Sequence, residues 1–309
     1  MIATVTLNPS VDRRYNIEEL AKNTVNRTDD YAASAGGKGL NVARVLKMLG
    51  EEVAGFGFIG GETGSFIQSE LEKMEVANQF MEVDGTTRTC LNIIDTNGDN
   101  IEVLEAGPTI SKADAEKFLE AFDAEVENYD FFTMSGSLPK GLDQTIYSDL
   151  IERANAKGKR VILDTSGDIL LKNLKAEPFL IKPNEDELSD ITGIELDSEA
   201  AIKEAAQVLL DKGAKNIAIS LGSEGMYFFG EEGNFKVEIP SIEVQNTVGS
   251  GDSSVAGFAY SLTRGDDIET ALKYANACGM SNASQLGTGE VDSEQVESLV
   301  KEIKVTKVN

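Results

Sequence analysis

The chain has 309 residues, 41% of them hydrophobic, enough to bury a sizeable core as one large domain or two unequal ones. With 28 basic against 53 acidic side chains its net charge is −25, which argues against nucleic acid or anionic membrane as partners. Histidine is absent, which excludes Ser-His-Asp and Cys-His nucleophiles, histidine bases and His-ligated zinc, so acid–base work falls to Asp, Glu, Lys, Tyr or Cys.

Two distant cysteines, Cys90 and Cys278, make neither a disulfide framework nor a metal spacing, and no apolar run approaches the roughly 18 residues of a membrane span. Residues 2–7 read as a first strand rather than a signal peptide, since a basic segment and a cleavage site are missing. The expectation is a soluble cytoplasmic protein. Asp12 follows Pro9 at the mouth of that strand, where a carboxylate could bind sugar hydroxyls or cap a turn. Residues 12–34 look extended and antiparallel. They lead into Ala35-Gly36-Gly37-Lys38-Gly39-Leu40-Asn41, a glycine-rich turn opening a helix over 39–49 whose Leu40, Ala43, Leu46 and Leu49 share one face before Gly50. Lys38 could meet an anion there and Asn41 a hydroxyl. A plain loop with a surface lysine is the alternative, and the Gly-Lys-Ser/Thr ending of a P-loop is missing.

A strand over 53–59 and a helix over 63–74 come next. Gly55-Phe56-Gly57-Phe58-Ile59-Gly60 matches the dinucleotide-binding spacing, but its first two glycines fall inside the strand, so we read a buried strand. Residues 86–107 again look extended, with Asn97-Gly98 between β-formers as a hairpin signal. Arg88 there is either a solvated β-residue or a bidentate ligand for an anion. The two extended stretches predict a small β-sheet over the strand ends, a candidate lid. Beyond it we expect helices over 112–126, 144–156 and 199–212, with strands over 131–134, 160–164, 179–181 and 217–221. This alternation predicts an α/β fold: a mostly parallel central sheet, helices on both faces, ligands at the C-terminal strand ends.

Three further stretches carry candidate chemistry. In Lys182-Pro183-Asn184-Glu185-Asp186-Glu187, Asn184 and Glu187 share a face of a starting helical turn and suit magnesium, directly or through water; a capping box fits the spacing equally well. Ser220-Leu221-Gly222-Ser223-Glu224-Gly225 is a floor for a phosphate chain or an ordinary turn. Thr247-Val248-Gly249-Ser250-Gly251-Asp252 precedes the apolar face of Val255, Ala256, Phe258, Ala259 and Leu262, a tight turn onto a helix N-terminus and so a ready anion site. Asp252 could cap that helix or take a proton from an attacking hydroxyl.

Six stretches in order resemble the PfkB branch of the ribokinase-like carbohydrate kinases: Asn8-Pro9-Ser10-Val11-Asp12, Gly36-Gly37-Lys38-Gly39-Leu40-Asn41-Val42, Thr87-Arg88, Ser135-Gly136-Ser137-Leu138-Pro139, the 182–187 run and Val248-Gly249-Ser250-Gly251-Asp252. Within the branch the chain looks most similar to kinases of phosphorylated ketohexoses, those acting on tagatose 6-phosphate or, alternatively, fructose 1-phosphate. The resemblance implies a ribokinase-like fold with a small β-sheet lid, and ATP and Mg²⁺ with a phosphosugar as ligands. It makes Asp252 the base and the amides of Gly249, Ser250 and Gly251 the anion hole. It further implies sugar contacts from Asp12, Gly37, Asn41 and Ser137, and phosphate contacts from Arg88, Lys38 and Arg27. ATP would lie on Lys182, Asn184, Glu187, Ser220, Gly222 and Gly225, with Asn276 near the adenine. Apart from the resemblance, a small two-piece sheet exposes edges that the core, the substrate or a second subunit must cover, so a homodimer through the lid is a further expectation. Ser250 departs from the pattern, since many relatives carry Ala there. A sugar-phosphate-binding regulator without catalysis is the rival from another class.

Overall fold

The computed structural model describes residues 1–97 and 100–308. Strand β1 (Ile2–Thr6) is buried along its whole length. The chain then leaves the central layer for β2 (Ser10–Ile17) and β3 (Tyr31–Gly36), an antiparallel pair. Helix α1 (Lys38–Met48) brings it back and stops before Gly50, whose φ of +86° is the left-handed conformation that ends helices. Next come β4 (Val53–Ile59), α2 (Gly61–Lys73) and β5 (Ala77–Glu82). A second antiparallel pair follows, β6 (Arg88–Asp95) with β7 (Asn100–Leu104).

From there the alternation is regular: α3 (Lys112–Glu125), β8 (Phe131–Ser135), α4 (Ile146–Ala156), β9 (Arg160–Asp164), α5 (Gly167–Asn173) and β10 (Leu180–Ile181). Helices α6 (Glu185–Thr192) and α7 (Glu199–Leu210) lead to β11 (Asn216–Ser220), β12 (Met226–Gly230) and β13 (Phe235–Glu238). Helices α8 (Ser250–Thr263), α9 (Ile268–Ala283) and α10 (Ser293–Glu302) precede β14 (Lys304–Lys307).

The central sheet runs β14-β13-β12-β11-β10-β9-β8-β1-β4-β5. It is parallel from β11 to β5 and antiparallel from β11 to β14. Side chains alternate across it, so Ile2, Phe131 and Ile162 join a core with α1, α8 and α9, while Val5, Phe132 and Leu163 join one with α3, α4 and α7. Helices thus cover both faces, and no described helix is long and apolar enough to cross a membrane.

One expectation needs extending and another holds. Strand β5 and the antiparallel edge β12–β14 were not foreseen; β5 (Ala-Asn-Gln-Phe-Met-Glu) is a half-exposed edge without an apolar run. The stretch 53–59 is indeed a buried strand, and its glycines serve packing, because a Cβ on Gly57 would lie 2.0 Å from the Thr6 carbonyl oxygen.

The extended stretches form a separate four-stranded sheet in the order β3-β2-β6-β7. Each is a hairpin as expected, but the two are joined by parallel pairing of β2 with β6. Gly98 of the expected Asn97-Gly98 turn lies outside the described residues. Register Asp12↔Cys90 and Ser10↔Arg88 sets the sugar-site candidates of both excursions side by side at one end of this sheet.

Candidate active site

The C-terminal ends of β1, β8, β9 and β10, the heads of α1 and α8 and one end of the small sheet converge on one region. It opens into a cavity of about 690 Å³ lined by Thr6, Asn8, Lys38, Arg88, Ser135 and Ser137, among others. Buried side-chain atoms without a hydrogen-bond partner include Thr6 Oγ1, Asn8 Oδ1 and Ser135 Oγ, all three in residues of this wall. Such atoms cost about 1–3 kcal/mol each, a local loss of stability just beneath this wall.

Asp12 lies at the base of β2, where Ser10 Oγ donates to Oδ1 at 2.6 Å and burial pushes its carboxyl above the ordinary range. A Cβ on Gly36 would lie 2.0 Å from Asp12 Oδ2, so only glycine leaves that carboxylate its place. Gly37, at φ +103°, turns the chain into α1, with Lys38 and Asn41 on the first turn. Arg88 Nε donates to the Asn8 carbonyl at 3.1 Å, which fixes the half-buried guanidinium at the cavity wall. Ser137 is exposed there, its Oγ accepting from Asn8 Nδ2 at 3.4 Å.

Gly249, at φ +84°, makes the turn before α8. Ser250 N donates to Thr247 O at 3.2 Å, which takes one expected amide out of the anion hole. Gly251 N and Asp252 N precede the first helical bond, Ser253 N to Gly249 O, and are the amides that the helix head offers. Buried Lys182 reaches this head, its Nζ 3.2 Å from where a Cβ on Gly251 would sit.

Asp252 is only 7% exposed, and its Oδ2 accepts from Asn41 Nδ2 at 2.8 Å. Burial, then the charge of Asp164, push its carboxyl up to about 6, against the pull of Lys38, Asn41 and Lys182. Lys38 Nζ lies 3.3 Å from Asp164 Oδ2, and that carboxylate chiefly holds the ammonium protonated. Burial would raise Asp164 itself, but Lys38 and Lys182 outweigh it and hold it ionised. Two like charges, Asp252 and Asp164, are thus kept in one buried site by two lysines. Perturbation of this kind marks functional sites.

Asn184 and Glu187 realise the capping box: Asn184 Oδ1 accepts from Glu187 N at 2.8 Å and Glu187 Oε2 from Asn184 N at 3.0 Å. Among the described residues no three His, Cys, Asp or Glu side chains cluster to hold a metal directly. With one Glu187 oxygen left over and its charge felt at Lys38, the residues fit an ion that arrives on phosphates and keeps its waters. Ser220 ends β11 beside Asn184, while Gly222 (φ +55°) and Gly225 (φ +92°) shape the turn after it. Asn276 is buried, Nδ2 donating to Leu272 O at 2.8 Å and facing the Met226 sulfur at 3.7 Å.

Arg27 is not brought to the cavity. The loop after β2 carries it to a second surface pocket with Glu18, Glu19 and Asn26. Sequence reasoning missed Thr6, Asp164 and Asn282. Thr6 and Asp164 end parallel strands, the position where ligands gather, and that alone could have flagged them. Fully buried Asn282 donates to Val248 O (2.9 Å) and Ser250 Oγ (3.2 Å) and accepts from Gly289 N (2.8 Å), tying the turn before α8 to the one after α9.

The model of the pfkB family of carbohydrate kinases matches residues 5–295. Tagatose-6-phosphate kinase of Staphylococcus epidermidis is 40% identical over the full length of both chains. Phosphofructokinase-2 of Escherichia coli in complex with fructose 6-phosphate is 27% identical over 97% of this chain and 98% of that one, with a TM-score of 0.87; its inhibited form has been solved as a tetramer. Arabidopsis thaliana ribokinase with ribose and ATP shares the fold, with a TM-score of 0.81 at 24% identity over 97% of this chain and 98% of that one. A buried carboxylate at a glycine-turned helix head, a cavity beside it and a match across nearly the whole chain converge: the chain belongs to the pfkB family of carbohydrate kinases and is an ATP-dependent sugar phosphotransferase.

Proposed function

We propose that the enzyme moves the γ-phosphoryl group of ATP onto a hydroxyl of tagatose 6-phosphate, giving tagatose 1,6-bisphosphate. The observation that carries this reading is Asp252, buried at the head of α8, held by Asn41 and within the electrostatic reach of Lys38 on the cavity wall. The full-length identity with a tagatose-6-phosphate kinase supports the choice of sugar.

In this reading Asp252 takes the proton of the attacking hydroxyl, and its raised pKa brings it near neutrality without protonating it there. The amides of Gly249, Gly251 and Asp252, with Lys182 beside them, receive the charge of the moving phosphoryl group. Lys38, its ammonium oriented by Asp164, lines the same cavity as Arg88 and meets the anionic groups bound there. Asp12, Gly37, Asn41 and Ser137 hold the sugar, Thr6, Asn8 and Ser135 meet its hydroxyls, and Arg88 takes the phosphate already on it. ATP lies along Lys182, Ser220, Gly222 and Gly225, and Asn276 shapes the adenine pocket from behind. Mg²⁺ would be held through water by Glu187 and Asn184 and supplies charge neutralisation on the phosphates. An ATP-using enzyme with two unpaired cysteines belongs in the cytoplasm.

The small sheet acts as a lid, and a second copy covers it. Tyr31, Ile101, Val103 and Leu104 are exposed on it, and β3 and β7 are unpaired edges that need a partner or a cover.

An ADP-release assay over tagatose 6-phosphate, fructose 1-phosphate and fructose 6-phosphate tests the function. The highest kcat/KM is expected with tagatose 6-phosphate. A higher value with fructose 1-phosphate replaces the substrate with the alternative. Sugar phosphate that binds without ADP release makes the chain a regulator.

A further inference from the structure

Arg44 lies three residues after Asn41 on α1, half-buried behind the catalytic pair. Its Nη1 donates to Asn41 Oδ1 at 3.0 Å and to the Thr288 carbonyl at 3.0 Å, and Nη2 donates to the Ala35 carbonyl at 2.6 Å. All three acceptors are neutral. Among the described residues no carboxylate lies within ion-pair distance of this guanidinium. Burial disfavours its charge, and only the more distant Glu290, Asp12, Glu70 and Asp252 favour it. A cation held this way costs stability, so its presence calls for a reason other than stability.

The amide of Asn41 supplies one. An amide has one accepting and one donating end. With Oδ1 turned to Arg44, the NH₂ end faces Asp252 Oδ2 at 2.8 Å. The flipped amide would set its oxygen against the carboxylate and its NH₂ against the guanidinium, two repulsive contacts. We propose that Arg44 is a positioning residue for phosphoryl transfer, locking the Asn41 amide so that its N–H is presented to Asp252. The proposal rests on Asp252 being the base. The same guanidinium spans the end of β3 and the Thr288–Gly289 turn, and a Cβ on Gly289 would lie 3.1 Å from Nη1. The lock is therefore part of the frame that holds the small sheet to the head of α1.

Asp252 faces Asp164 from β9, Lys38 and Asn41 from α1 and Lys182 after β10, with Arg44 behind Asn41. Losing the Asn41 donation removes one of the influences that hold Asp252 ionised. The acid limb of kcat/KM must then move to higher pH.

The test is a double-mutant cycle on the full chain, comprising Asn41→Ala, Arg44→Met, both together, Arg44→Lys and Asp252→Asn. Arg44→Met is expected to lower kcat about tenfold, to leave KM for ATP within about twofold and to raise the acid limb. In the Asn41→Ala background it is expected to change kcat less than about twofold, because its target is gone. Arg44→Lys keeps the charge but not the planar fork, so kcat falls while the acid limb moves less than in Arg44→Met. Effects of Arg44→Met and Asn41→Ala that multiply in full overturn the proposal, as does an unmoved acid limb. If Arg44→Met does not fold, Arg44→Lys takes its place in the cycle under the same criterion. Near-normal turnover of Asp252→Asn is a different failure, that of the base assignment.

Discussion

Asp252 is charged where charge is least welcome: buried, with Asp164 near and two lysines in partial compensation. As a base it must be ionised, so kcat/KM is expected to fall with an acid limb near pH 6, checked by a pH profile in constant-ionic-strength buffers. Asp252→Asn should cut kcat by roughly 10²–10⁴ while binding of ATP and sugar phosphate stays within a few-fold. The stability consequence has the opposite sign. Because the folded carboxyl holds its proton more tightly than the unfolded one, its contribution is fully present below the ordinary carboxylate range and is lost as pH rises through about 6. The asparagine variant should therefore be more stable than the parent at pH 7, by on the order of 2 kcal/mol, and not at pH 4. Thermal melts at both values decide it. Gly36→Ala belongs here too: its Cβ displaces the Asp12 carboxylate, and KM for the sugar phosphate should rise at least tenfold with KM for ATP unchanged.

Two elements carry separable predictions. Helix α6 begins with a capping box that uses Asn184 and one oxygen of Glu187, and the same residues are the proposed holders of a hydrated cation. Glu187→Gln keeps a side-chain acceptor for the cap but removes the charge. Unchanged melting with a several-fold higher Mg²⁺ requirement supports the cation role, and unchanged Mg²⁺ dependence leaves only the cap. Helix α3 is anchored by aromatic rings, Phe118 against Phe58 at 4.7 Å and Phe122 against Phe132 at 5.3 Å, on the face opposite α1 and α8. Phe118→Ala should cost about 3–5 kcal/mol in denaturant unfolding, yet leave KM for both substrates unchanged in the folded fraction, since it lies outside the cavity wall.

At the scale of the molecule, the small sheet is anchored at its base, where Val11 and Ala35 enter the core and Arg44 holds the Ala35 carbonyl, and is tied elsewhere by single polar contacts. Arg14 Nη1 donates to the Leu286 carbonyl at 3.2 Å, Asn8 Nδ2 to the Ala106 carbonyl at 3.3 Å, and Arg88 Nε to Asn8 O. A sheet fixed at its base can pivot its far end over a bound sugar and exclude water that would compete for the phosphoryl group. Sugar phosphate is expected to slow hydrogen exchange in 12–34 and 86–107 with little change in α3 and α4. Exchange already slow without ligand and unresponsive to it would count against a lid. Light scattering checks the second copy, for which a monomer is the contrary result.

The βα alternation, the burial of β4 and the glycine turns at 36–37 and 249–251 were determined by sequence, because each rests on local physics: periodicity, chain reversal and close backbone approach. The two extended excursions were equally legible as hairpins. Their parallel junction through β2 and β6 was not, since pairing residues about 80 apart leaves no local trace. The same holds for β5 and β14, edge strands whose polar residues satisfy only the neighbour they meet. For Asn184 and Glu187, spacing predicted two uses, and the structure shows both members of the capping box made. Asp164, Arg44 and Thr6 carry no motif. Tertiary structure alone sets Lys38 against Asp164, Arg44 against Asn41 and Asn41 against Asp252, because a buried charge is given meaning by partners that folding brings from other strands and helices.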